Sequence, residues 1–114
     1  MSHHEHKACI DACSRCAQEC EHCANACLHE QNPAEMFDCI RLDLDCAAVC
    51  LQAVAFMSRG SKFIGEICRI CADICEACSD ECRRHQHMDH CRVCAEVCEA
   101  CATECRRMAG AEMA

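Results

Sequence analysis

The chain predicts an all-α domain, an antiparallel up-down-up-down four-helix bundle with a cysteine-lined core. Three observations predict it. The cysteines recur at alternating steps of three and four residues, whose average of 3.5 is the repeat of a helix seam that packs against other helices. The composition favours helix over sheet: Ala, Glu, Asp, Arg and Cys dominate, with one Pro, three Gly, no Tyr and no Trp. Three short punctuations then cut the 114 residues into four segments of helical length, and short connections between helices imply antiparallel neighbours.

The segments are expected at about 4–30, 33–58, 61–86 and 89–109, within a single domain spanning 1–114. Asn32-Pro33-Ala34-Glu35 reads as a helix start, with Asn32 as N-cap, Pro33 at the first helical position and Glu35 completing a capping box. Arg59-Gly60-Ser61 reads as a stop followed by a new N-cap, and Gln86 to Asp89 as a tight connection. The last two segments repeat each other: Cys68–Arg84 and Cys91–Arg107 agree at 12 of 17 positions. Cys13–Cys27 echoes the same frame. The second segment differs, carrying fewer cysteines and a second apolar stripe of Phe37, Ile40, Leu44, Ala47, Leu51 and Val54. That stripe serves either flank packing or an interface between copies, because a helix apolar most of the way round seeks burial.

The nineteen cysteines fall in four sets: Cys9, Cys13, Cys16, Cys20, Cys23 and Cys27; Cys39, Cys46 and Cys50; Cys68, Cys71, Cys75, Cys78 and Cys82; Cys91, Cys94, Cys98, Cys101 and Cys105. Positions that usually hold Leu and Ile in a bundle hold thiols. An odd number cannot be fully paired as disulfides within one chain. Neighbours on such a stripe have Cβ atoms roughly 5–6 Å apart, whereas a disulfide needs about 3.8 Å. They can share a metal ion more easily than they can bond each other. Small neighbours such as Ala17, Ala24, Ala72, Ala95 and Ala102 let the helices approach and aim the sulfurs inward.

Charge decides which metal. A Zn²⁺ ion held by four thiolates carries −2, so four or five isolated sites would bury roughly −8 to −10, at a cost of several kcal/mol per ion. One Cu⁺ replacing one proton on one thiol leaves the core neutral, and soft thiolates favour Cu(I). The expected cargo is therefore multiple Cu(I) ions, approaching one per thiol. The alternative is a zinc- or iron–sulfur-binding protein, an electron carrier or metal buffer. A purely structural bundle is the plain reading, weakened because Leu or Ala would fill the same seams without the redox risk of a thiol. Cys9 to Cys27 spans about 27 Å of helix, so this is a column of sites. No nucleophile–base pair or glycine-rich phosphate loop is present, and no enzymatic activity is expected.

Antiparallel helices would bring His29, His85, His87, His90 and Met36 to one end, either as solvated turn residues or as ligands that pass metal to Cys27, Cys82 and Cys91. His3, His4 and His6 at the other end read as a loose tail, and Met57 and Met108 as core plugs. His22 reads as a surface residue. Asp43 lies on the cysteine stripe of the second segment, where a buried carboxylate needs a partner: it turns to the edge, pairs with an arginine, accepts bonds from thiols, or binds metal.

The formal charge of −8, with acids and bases interspersed, leaves no basic stripe for nucleic acid. No apolar run nears the roughly 20 residues that span a bilayer. No apolar stretch follows Lys7, so the start does not read as a secretory signal, and a cytoplasmic location is expected, where thiols stay reduced.

On the cysteine frames Cys9–Cys27, Cys39-x6-Cys46-x3-Cys50, Cys68–Cys82 and Cys91–Cys105, over essentially the whole chain, the sequence closely resembles the cytosolic copper storage proteins of bacteria. The resemblance implies reversible storage of many Cu(I) ions by core thiolates, folding without metal, histidines near one mouth and a homotetramer of bundles. The partners expected are copper ions, further copies of the chain, and a copper chaperone or low-molecular-weight thiol as donor.

Overall fold

A computed structural model of the chain describes residues 3–113. A 3₁₀ turn at His3–His6 leads into α1 (Lys7–Leu28), and a second at Pro33–Met36 leads into α2 (Phe37–Ser58); α3 (Ile64–Arg83) and α4 (Asp89–Met113) follow. The molecule is a rod of 48 × 19 × 17 Å. Each helix packs on the next, and α1 also packs on α4, closing a ring.

The sulfurs reveal the direction of each helix. Cys27 meets Cys39 while Cys16 meets Cys46, so α1 and α2 run oppositely. Cys39 meets Cys82 and Cys50 meets Cys71, which does the same for α2 and α3. Cys23 meets Cys91 and Cys13 meets Cys101, so α4 runs opposite to α1. The bundle is all-α and antiparallel, as the 3.5 repeat and the short connections predict.

The helix ends depart from expectation in instructive ways. The capping box at Asn32 does not form: Asn32 donates its side-chain amide to Glu35 (2.9 Å), and Glu35 N–H donates to the Asn32 carbonyl (3.1 Å). Those bonds close a 3₁₀ turn, so the α-helix begins one turn later, at Phe37. At the other end of α2, Gly60 takes φ of 65°. Its N–H reaches the Met57 carbonyl and that of Ser61 reaches Phe56, the paired bonds of a Schellman stop, which favours glycine at this one position. Ser61 accepts from Phe63 N–H (3.0 Å) rather than capping α3, which starts at Ile64. The first α-helix starts at Lys7 and α4 runs past Gly110 to Met113.

The core contains all nineteen thiols, ringed by Ala17, Ala24, Ala47, Ala72, Ala95 and Ala102. A protonated thiol packs as a small hydrophobe, although it buries less apolar area than leucine. Where α3 meets α4, Ser79 donates to the Ala95 carbonyl (2.9 Å), a contact that needs small residues on both helices. The outer edge of the same seam carries Arg83–Glu99 and Arg106 with Asp73 and Glu76, exposed pairs that contribute little each. The second apolar stripe of α2 divides: Ile40 and Ala47 are buried, whereas Phe37, Leu44 and Leu51 remain 64, 47 and 54% exposed.

Candidate metal centre

The stripe on each helix places a sulfur on the bundle axis at every turn, and the antiparallel register interleaves sulfurs from neighbouring helices. Every cysteine side chain is fully buried and none is in a disulfide. Across helices the Sγ atoms stand close: Cys46 to Cys75 at 3.4 Å, Cys13 to Cys105 and Cys20 to Cys98 at 3.5 Å, Cys16 to Cys46 at 3.6 Å, Cys50 to Cys71 at 3.7 Å.

These contacts assemble four-atom groups whose donor atoms all lie within 4.8 Å of one another. Among them are Cys13–Cys71–Cys101–Cys105, Cys16–Cys46–Cys50–Cys75, Cys16–Cys20–Cys46–Cys98 and Cys20–Cys78–Cys94–Cys98. The last three share members. A shared ligand turns separate sites into a continuous column, which suits a metal content with bridging sulfurs and no fixed count of isolated tetrahedral ions.

The network also distributes protons. Cys98 is held above the ordinary thiol range, first by its hydrogen bonds with Cys16 and Cys20 and then by burial. Cys46 is held below it, chiefly because Cys16 and Cys20 stabilise its thiolate. A core built this way has protons to release, and metal binding to thiol releases them.

Asp43 resolves one of the alternatives open in the sequence. It is fully buried, and no arginine reaches it among the described residues. Its carboxyl accepts from Cys78 (3.2 Å), Cys94 (3.4 Å) and Cys82 (3.8 Å), with Cys39 at 3.9 Å. Burial first, then the neighbouring sulfurs of Cys94 and Cys82, pushes its pKa up to about 10, so the group is neutral at neutral pH.

Of the five residues expected near one mouth, only His90 has its ring against the thiols. Its Nδ1 is 3.5 Å from Cys23 and Cys91 and 4.0 Å from Cys27, forming the group Cys23–Cys27–His90–Cys91. Its Nε2 donates to Glu30 (2.8 Å), which leaves the Nδ1 lone pair facing the sulfurs. The others are elsewhere engaged. His29 is exposed and donates to the Asn25 carbonyl (2.9 Å), His85 pairs with Glu81 (3.1 Å), and His87 lies exposed in the connection before α4. Met36 is buried, one turn before Cys39.

The far end corrects the expectation of a loose histidine tail. His3–His6 is a 3₁₀ turn, and His6 is 1% exposed. Its Nδ1 meets the Met57 carbonyl (3.3 Å) and its Nε2 meets Glu112 (2.9 Å). His6 ties the start of the chain to the last turn of α4, and Met57 and Met108 are buried. A signal was present in the sequence: His6 precedes Cys9 by three residues and so continues the cysteine stripe by one step. The carboxylates that orient the histidines, Glu30, Glu81 and Glu112, carry no comparable mark.

The copper storage protein family profile matches residues 2–110. No curated protein matches the chain significantly. Among solved structures, apo copper storage protein 3 from Bacillus subtilis is 48% identical, with 90% of this chain and 97% of that one aligned and a TM-score of 0.84. The Cu(I)-bound form of the same protein is 50% identical over 90% of this chain and 96% of that one, with a TM-score of 0.86. A cytosolic copper storage protein from Streptomyces lividans, holding five coppers, is 44% identical over 91% of each chain, with a TM-score of 0.88. A family match over residues 2–110, with solved relatives 44–50% identical over nine-tenths of the chain and folded alike, decides the matter: the chain belongs to the copper storage protein family.

Proposed function

We propose that the chain is a cytosolic store that sequesters many Cu(I) ions on its nineteen core thiols, approaching one copper per thiol. The observation that carries the reading is the thiol column itself: sulfurs with no solvent exposure, 3.4–4.0 Å from partners on neighbouring helices, in groups that share members. A monovalent soft cation fills such a column without building up buried charge. A Streptomyces lividans relative is described as cytosolic, and Cu(I) or coppers are bound in relatives from both organisms, which supports the cargo and the compartment. No helix among the described residues is long and apolar enough to cross a membrane.

All nineteen cysteines act as ligands in this reading, and His90 supplies a nitrogen at one end of the column. Of the other residues expected at that end, His29 bonds the Asn25 carbonyl, His85 pairs with Glu81 and Met36 is buried, so His90 leads the handover to the thiols. The role is storage, in line with relatives that are copper storage proteins. Copies of the chain associate through the exposed Phe37, Leu44 and Leu51 of α2, and a copper chaperone or a low-molecular-weight thiol delivers the metal.

Anaerobic titration with Cu(I) against a chromogenic chelator, with thiols counted in parallel, tests the function. The expected capacity lies toward nineteen per chain and well above one per pair of thiols. Saturation near four or five ions, the number of isolated four-sulfur sites the cysteines could supply, would overturn it.

A further inference from the structure

We propose that Cu(I) reaches the thiol column sideways, through the groove between α1 and α4, and that His22 on the outside of α1 is its first ligand on the protein. The inference rests on Cu(I) being the cargo. It adds a route and a residue that the bundle's axis does not suggest.

All nineteen thiols are fully covered, so some other atom must meet the incoming ion. In the terminal group, the three sulfurs of Cys23, Cys27 and Cys91 have no exposure, whereas the His90 side chain keeps 13%. Toward that end of the column Met36, one turn before Cys39, is 1% exposed, and Met88 packs against the core. His90 instead opens onto a groove of about 550 Å³ along the α1–α4 seam. Glu19, His22 and Ala26 of α1 line one side, and Asp89, His90 and Val93 of α4 line the other.

The lining suits a soft cation in transit. His22 is exposed and makes no hydrogen bond or ion pair among the described residues, so its ring nitrogens are free. Glu19 holds negative charge on one wall, which raises the local concentration of a cation, while Asp89 on the other is paired with Arg92 (2.6 Å). Ala26, with its small side chain, lines the same groove as the two imidazoles. Beyond His90 the order of ligands is set: Glu30 holds the proton on Nε2, and Nδ1 faces Cys23 and Cys91 at 3.5 Å. The transfer is ligand exchange without redox change. The ion leaves its donor for an imidazole nitrogen of His22, that bond breaks as the bond to His90 Nδ1 forms, and a thiolate of Cys23 or Cys91 then takes the ion. The displaced thiol proton goes to water.

The test compares uptake rates and capacities of the full chain, supplied anaerobically with Cu(I) as its bicinchoninate complex. Variants are His22→Gln, Ala26→Phe, which fills the groove without altering a ligand, and His29→Gln and His87→Gln at the axial end. Expected are unchanged capacity in all four, uptake slowed roughly threefold in His22→Gln and about tenfold in Ala26→Phe, and near-normal rates in the axial pair. If Ala26→Phe fails to fold, His22→Gln, a surface change, carries the test alone. Normal uptake in His22→Gln, or an equal slowing in either axial variant, overturns the lateral route. A capacity of only a few ions in the unaltered chain would overturn the storage reading and this route together.

Discussion

The two ends of the thiol column each carry a buried or half-buried histidine, and they use it in opposite ways. At one end the Nδ1 of His90 faces three sulfurs and its ring touches solvent. At the other, both nitrogens of His6 face oxygens, the Met57 carbonyl and Glu112, and the ring is sealed from water. One imidazole turns a nitrogen to the thiols within reach of the outside; the other is a tie between the chain's two ends. The residue type is the same, and the difference lies in which atoms surround the ring. Asp43 belongs to the His90 half, where its partners Cys39 and Cys82 also lie, so the reachable end holds the group that costs stability and the closed end holds the one that adds it.

That contrast can be broken most sharply at Asp43. Its carboxyl keeps its proton in the fold up to a pKa of about 10, against 3.8 when unperturbed. Between those values the unfolded chain ionises and the folded one does not, so each pH unit above the lower value costs the fold up to about 1.4 kcal/mol. Asp43→Asn is expected to stabilise the metal-free protein by about 2–4 kcal/mol at pH 7, and the gain is expected to vanish near pH 4. Denaturant unfolding under reducing conditions at both pH values measures it, and equal gains at the two would refute the assignment.

At the closed end, His6→Ala leaves Glu112 without its partner and opens the contact with Met57. Metal-free stability is expected to fall by about 1–3 kcal/mol, read as a lower melting temperature, with copper capacity intact. A loss of capacity instead would make His6 a ligand and erase the contrast. His90→Ala is expected to do the reverse: little change in melting temperature, a loss of at most one copper from nineteen-fold loading, and uptake slowed about tenfold, a barrier change of roughly 1.4 kcal/mol. Stopped-flow mixing with a Cu(I)–chelator complex reads the rate. The smallest effect is expected at His29→Ala, whose ring bonds only its own helix; its stability should shift by less than about 0.5 kcal/mol.

Much of this was legible in the residues and some of it was not. The inward stripes on α1, α3 and α4 follow directly from steps of three and four. On α2, Asp43 falls on the stripe, but nothing in the one-dimensional pattern tells whether an arginine or a thiol meets it. The Asn32 capping box failed because the same two side chains can bond each other, and local preference did not choose between these arrangements. His6 was misread for a different reason. A histidine beside others near a chain start looks solvated, and only the far-off Glu112 and Met57 give it a place. His90 sits one residue from Cys91, outside the stripe, so its inward ring was not visible from spacing.

By itself the sequence determined that four helices form and that each turns its sulfurs to one side, and it favoured a soft monovalent metal as the cargo. Periodicity is a property of the local backbone, and the preference of sulfur for Cu(I) is a property of the atom, so neither needs a partner from elsewhere in the chain. The tertiary structure alone decided which thiols share a group, which histidine faces them, and what receives Asp43. A repeat of 3.5 residues looks nearly the same after a helix slides by one turn, about 5.4 Å, so the register between helices is invisible along the chain and is set only when loops, small residues and end contacts lock them together.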